Sequence, residues 1–155
     1  MIHITNYKIS ISLLIEYIIS LGDIMQWLDI IFKFIEKIFK TNSFRKKYKT
    51  KNIKKLTTLL KSKKWQIIDI RNQISFNEHH LEGTINIPIT AFNFKFFKLI
   101  DKNHNILIIN EDPRSHLSIY KKLNTRGFKV FILNEKYKNI RNDISFDKYT
   151  KVVIY

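Results

Sequence analysis

Three short apolar runs, Gln66 to Ile70, Ile106 to Ile109 and Val130 to Leu133, constrain this chain more than any other feature. They lack the polar alternation of a strand with one wet face, and so read as strands covered by protein on both sides. Helical patterns separate them. Asn52 to Leu60 places Ile53, Leu56, Leu59 and Leu60 on one face, Ser75 to His80 suits a short helix, and Ala91 to Ile100 carries Phe92, Phe96, Phe97 and Leu99. Ser115 to Thr125 supplies a further helix, closed by Arg126-Gly127 in the expected C-terminal position. Thr84 to Ile87 reads as a short strand, and Lys151 to Tyr155 as an edge strand. Alternation of this kind predicts an α/β fold: a mainly parallel sheet flanked by helices.

Two motifs sit on this frame. The first is Gln66-Ile-Ile-Asp-Ile-Arg71, followed by Phe76, His80, Leu81, Gly83, Asn86, Ile87 and Pro88. The second runs from Ile106 through Asn110-Glu-Asp-Pro-Arg114 to Ser115, a strand that enters a tight turn before a helix opening at Arg114 and Ser115. Together they resemble the rhodanese (thiosulfate sulfurtransferase-like) family. Its pattern is a strand ending Asp-Val-Arg, then Phe-x-x-Gly-His-Ile-x-Gly-Ala-x-Asn-Ile-Pro, then a Cys-x-x-Gly-x-Arg-Ser loop. Leu123 to Leu133 matches the family's helix end, Gly-Phe turn and next strand, so the resemblance covers roughly 52 to 140. It assigns Asp69, Arg71, His80, Gly83 and Pro88 to fold-defining positions. Counting back from Arg114 places the family's catalytic cysteine on Ile109, in a degenerate loop of Ile109, Asn110, Glu111, Asp112, Pro113, Arg114 and Ser115. His79 stands where the family has a glycine, Asp112 replaces the loop glycine, and Glu135 and Lys136 replace a glycine pair.

The chain contains no cysteine, which excludes disulfides, thiolate metal sites and covalent persulfide chemistry. No cofactor is implied. Five histidines are scattered, only His79 and His80 being adjacent, and none has partners at metal-ligand spacing, so no metal is expected. Ser115, His116 and Asp112 include triad residue types, but sequence neighbours at a helix start do not face one another as a triad does. Trp65 is expected to pack under the sheet edge. The echo of Arg71 to Asn77 in Arg141 to Asp147 reads as coincidence.

The formal charge is +15, and Lys40 to Lys64 holds eleven basic residues with no acidic one. Lys, Asn and Ile abound while alanine occurs once, at Ala91, so drift toward AT-rich codons explains part of the excess but not its clustering. Ile9 to Phe39 is mostly apolar, with a narrow polar stripe through Ser12, Glu16, Ser20, Asp23, Gln26, Asp29, Lys33, Glu36, Lys37 and Lys40. Gly22-Asp23 is expected to divide it into two helices, and a start at Met25 would leave Gln26 to Lys40 as a short amphipathic anchor. A bilayer span needs about 20 mostly uncharged residues, and windows here take in Glu16, Asp23 or Asp29. No signal peptide is expected, because a basic start and a small-residue cleavage site are missing.

The organisation read from these features is an apolar helical segment at 1–40, a basic linker at 41–51, a rhodanese-like domain at 52–142 and a tail at 143–155. The favoured function is an inactive rhodanese-like protein that binds a protein partner of unknown identity. It would be cytoplasmic, attached to the inner face of a membrane through residues 1–40, with Lys40 to Lys64 against anionic lipid; a soluble helical hairpin, a dimerisation arm or packing on the domain itself stays open for that segment. Two alternatives stay open: a basic nucleic-acid-binding module, weakened by the scarcity of aromatics in the run, and a sulfurtransferase that borrows a partner's cysteine.

Overall fold

A computed structural model describes residues 24–38 and 42–153, in two units: residues up to Lys47, and Tyr48 onward. The second unit is built around two central strands. Strands β2 (Trp65–Asp69) and β5 (Asn105–Ile109) run side by side in parallel, with Ile67 opposite Leu107 and Asp69 opposite Ile109. Outside β5 lies β6 (Lys129–Leu133), and outside that β1 (Thr50–Lys51); on the other flank β2 pairs with β4 (Ile85–Asn86). Every pairing in this five-stranded sheet, ordered β1-β6-β5-β2-β4, is parallel. The fold class read from the sequence is the one observed.

Side chains alternate across the sheet, which sorts the core into two layers. On one side Ile67, Leu107, Ile109 and Leu133 pack with Leu56, Leu59, Leu81, Tyr137, Ile140 and Phe146. These come from the helices Leu56–Leu60 and Tyr137–Arg141 and the 3-10 turn Ile144–Tyr149. Trp65 packs at the edge of this layer, its ring 5.0 Å from Phe131, under the ammonium of Lys51. The helices Phe92–Leu99 and Leu117–Thr125 serve the other side through Phe92, Phe96, Ile119, Tyr120 and Leu123, all buried. Burial on both faces is why the strands carry almost no polar side chains.

Gly127 (φ +83°) closes the helix Leu117–Thr125, its N–H donating to Asn124 and that of Phe128 to Leu123. Differences from the sequence reading lie at element ends. The tail does not extend the main sheet: β7 (Thr150–Lys151) pairs antiparallel with β3 (His80–Leu81) in a separate two-stranded sheet. Local contacts outcompete sheet extension there, since Glu82 N–H donates to Tyr149 and Val153 N–H to Asn77. The stretch read as a basic linker holds helical residues 42–47 and strand β1. The echoed segments adopt different structures, an α-helix at Gln73–Glu78 and a 3-10 turn at Ile144–Tyr149.

In the first unit, residues 24–38 are helical and exposed throughout, including Met25, Trp27, Phe32 and Phe34. Among the described residues no helix is long and apolar enough to cross a membrane. Gly22-Asp23 and the polar positions before them lie outside the described residues, as do Ile154 and Tyr155.

Candidate functional site

Loops leaving the C-terminal ends of β2, β5 and β6 meet at one edge of the sheet, where parallel folds of this kind place their sites. Asp69 ends β2 and is almost fully buried, as is Arg71 two residues on. Both carboxylate oxygens of Asp69 hold the Arg71 guanidinium, Nε at 3.1 and 3.0 Å and Nη2 at 2.7 Å. Arg71 Nη2 also donates to the carbonyl of His79 at 2.8 Å, and Nη1 lies 3.5 Å from Glu111 Oε1. The guanidinium carbon sits 3.3 Å over the centre of the Tyr137 ring, a cation–π contact made stronger by burial. Burial opposes the Arg71 charge, but the hydrogen bonds and charge of Asp69 outweigh it and hold the group above its ordinary range.

Tyr137 completes the cluster by donating its hydroxyl to the His79 carbonyl at 3.1 Å. Burial pushes its phenol up to about 12, against the opposing pull of Arg71. His79 is held below its ordinary value by burial first and then by Arg141 and Arg71. Asn86 ties the strand ends, its amide donating to the carbonyls of Asp69 and Arg71 at 3.0 Å each. His80 is structural: Nδ1 meets the Phe76 carbonyl at 2.8 Å and the two rings stack. Gly83 (φ +80°) turns the chain between β3 and β4, and Pro88 precedes the short 3-10 turn Ile89–Ala91.

The loop after β5 departs from expectation in two ways. Ile109, onto which the motif count places the family's cysteine, is 1% exposed and belongs to the hydrophobic core layer. It is the last residue of β5, so the pleat turns it inward and turns Asn110 to the opposite side. The helix also opens later than Arg114 and Ser115, at Leu117, because His116 adopts the left-handed conformation (φ 56°, ψ 36°). A turn ahead of the helix accounts for the delay: Asp112 Oδ1 accepts from the Arg114 N–H at 2.8 Å, and the Asp112 carbonyl accepts from the Ser115 N–H at 3.1 Å. These bonds make a self-contained turn with Pro113 inside it.

Asn110 closes the turn from within. Its amide donates to Ser115 Oγ at 2.6 Å and lies 3.3 Å from His116 Nδ1. Ser115 Oγ gives its own proton to the Asp112 carbonyl at 2.8 Å, so the hydroxyl is not presented to His116 and no triad exists. The cavity bounded by Asn110, Pro113, Ser115, His116 and the strand ends beneath them measures about 10 Å3. That is room for one water at most, not for a thiosulfate. Glu111 and Asp112 add negative charge at the loop, while Arg71 is committed to Asp69 and Glu111. No cluster of metal-ligating side chains occurs among the described residues.

Of the motif residues, the structure gathers Asp69, Arg71 and Glu111 around one ion-pair network and leaves Ser115 with Asn110 and Asp112 in the turn. Tyr137 is not singled out by the sequence, and His79 is marked there only as standing in place of a family glycine. The one signal for Tyr137 is its place three residues before the apolar Ile140, just past β6.

Comparison with known proteins agrees with this geometry. The rhodanese-like domain model matches residues 52–155. No curated protein sequence matches the chain. Among solved structures, the BH2092 protein from Bacillus halodurans shares 18% identity over 76% of this chain and 87% of its own, with a TM-score of 0.59. Wild-type EanB is 18% identical over 64% of this chain, with a TM-score of 0.57. An anaerobic ergothioneine biosynthesis enzyme from Chlorobium limicola gives 18% over 64%, at 0.58. In each of these last two the match spans 27% of the other protein's length, and at such identities the likeness is one of fold.

Proposed function

Because the chain belongs to the rhodanese-like domain family yet contains no cysteine, we propose that it works as a non-catalytic module that binds a protein partner at a membrane surface. The missing sulfur nucleophile carries the first half: sulfurtransferase catalysis in this family requires a thiolate, and Asn110, Ser115 and His116 offer no substitute of that reactivity. The loop supports it further, since its interior is occupied by its own hydrogen bonds.

The membrane half rests on residues 24–38, whose apolar side chains are exposed along the helix, and on the eleven basic residues from Lys40 to Lys64. An amphipathic helix beside a polybasic run has the composition of an interfacial anchor. Ile74, 74% exposed on the helix that follows Arg71, offers an apolar contact for a protein partner.

Vesicle flotation of the full chain tests the anchor. Co-flotation with anionic vesicles, lost on deleting residues 1–40, is expected; a protein that stays at the bottom of the gradient would remove the membrane role. A photo-crosslinker at position 74, used in native membranes, is expected to give one discrete protein adduct, and its absence would remove the partner. Salt-sensitive binding to generic RNA or DNA in preference to vesicles would favour the nucleic-acid alternative.

A further inference from the structure

The helix Phe92–Leu99 presents the folded domain's most concentrated exposed aromatic surface outside the N-terminal segment. Phe92 and Phe96 bury on its inner side at 2% and 7% exposure, whereas Phe94 and Phe97 stand 75% and 60% exposed. Positions 94, 97 and 98 follow the i, i+3, i+4 spacing that puts them together on the side away from the sheet. Two phenyl rings left in water at one helix pole are costly for solubility and mark a contact surface.

Cations lie on the same helix and on its neighbour. Lys95 and Lys98 lie on the same helix, Lys98 with its ammonium 5.9 Å from the Phe97 ring. From the neighbouring helix Lys122 bonds to Asn93, and the Arg126 guanidinium lies 5.1 Å from the Phe96 ring. No aspartate or glutamate occurs from 83 to 100 or from 113 to 134, the stretches that contain both helices. The positive charge there has no acidic neighbour on either helix.

We propose that this face is a lipid-contacting surface, which seats Phe94 and Phe97 in the interface of a bilayer bearing anionic headgroups. Aromatic rings at the pole of a helix, flanked by lysines, match a surface that is apolar just beneath a negatively charged layer. A second copy of the chain fits poorly, because a symmetric contact would set Lys95 and Lys98 against their own kind. A nucleic acid or an acidic peptide calls for a groove that tracks it, and the pole of a two-turn helix is convex. The inference goes beyond the N-terminal anchor, since it uses residues of the folded domain alone.

The absence of native cysteine makes a clean test. A polarity-sensitive fluorophore is attached to the full chain through Lys95→Cys, with Ile144→Cys, on the turn that packs against the opposite sheet face, as the reference. With vesicles containing phosphatidylglycerol, the probe at 95 is expected to shift to the blue and be quenched by lipid-borne nitroxide, while the probe at 144 stays aqueous. Neutral vesicles should leave both unchanged. Adding Phe94→Ser and Phe97→Ser should abolish the shift with the circular dichroism spectrum intact. Flotation with an aqueous probe at 95 would overturn this face while leaving the N-terminal anchor standing. A shift at 95 produced by RNA or polyglutamate and not by vesicles would also overturn it, as would equal shifts at 95 and 144.

Discussion

Asp69 holds the guanidinium of Arg71 with both carboxylate oxygens, at 2.7 to 3.1 Å, in a site where the two side chains are 1% and 3% exposed. In a pocket with a free arginine, that group would be the natural anchor for an oxyanion; here it is spent on the fold. Removing one partner strands the other charge in the interior, which costs about 3–5 kcal/mol. Asp69→Ala should therefore lower the unfolding free energy measured by urea titration by that amount. A drop below about 1 kcal/mol would show that the pair is solvated in solution.

Tyr137 makes stability depend on alkaline pH. Its phenol ionises near 10 when unfolded and is pushed up to about 12 when folded, so the folded state holds the proton more tightly. The contribution is complete below pH 10 and is lost as pH rises toward 12. Tyr137→Phe should flatten that part of the curve in urea titrations across the window. It should also cost about 1 kcal/mol at neutral pH through the lost bond to the His79 carbonyl.

His79 acts at the other end of the scale. Its ionisation is depressed below 6.5 by burial and by the neighbouring arginines, so neutral His79 favours folding. That contribution is present above pH 6.5 and is lost as pH falls through the folded value. An NMR titration should find His79 protonating below an ordinary histidine; a midpoint at or above 6.5 would contradict the geometry.

Ile109 provides a test of strand register. A thiol introduced by Ile109→Cys should lie in the core and react with a thiol reagent only upon unfolding, in contrast to Lys95→Cys at an exposed position. Fast labelling at 109 in the native protein would put that residue in the loop's mouth, where the motif count alone places it.

Gly83 turns the chain with φ +80°, and a Cβ built there meets nothing within 4 Å. Gly83→Ala should thus cost only the backbone term, about 1–2 kcal/mol. A larger loss would reveal a contact that the static geometry does not contain.

Much of this was legible beforehand. Apolar runs at Ile106 to Ile109 and Val130 to Leu133 declared strands covered on both faces, and Gly127 declared the end of a helix, because each reflects local chemistry that few alternatives satisfy. The loop was less legible. Whether Asp112 aims its carboxylate at a ligand or back at the Arg114 N–H depends on the turn geometry, and that same turn delays the helix to Leu117. Tyr137 was invisible for a different reason: its contacts with Arg71 and His79 span more than 55 residues of chain, beyond the reach of any periodicity.

A thiosulfate:cyanide sulfur-transfer assay on the purified full chain addresses the loss of persulfide chemistry most directly. Turnover should equal the uncatalysed background, and mass spectrometry after thiosulfate treatment should find no added sulfur on the protein. Catalysed thiocyanate formation above background, from a chain with no cysteine, would contradict it outright.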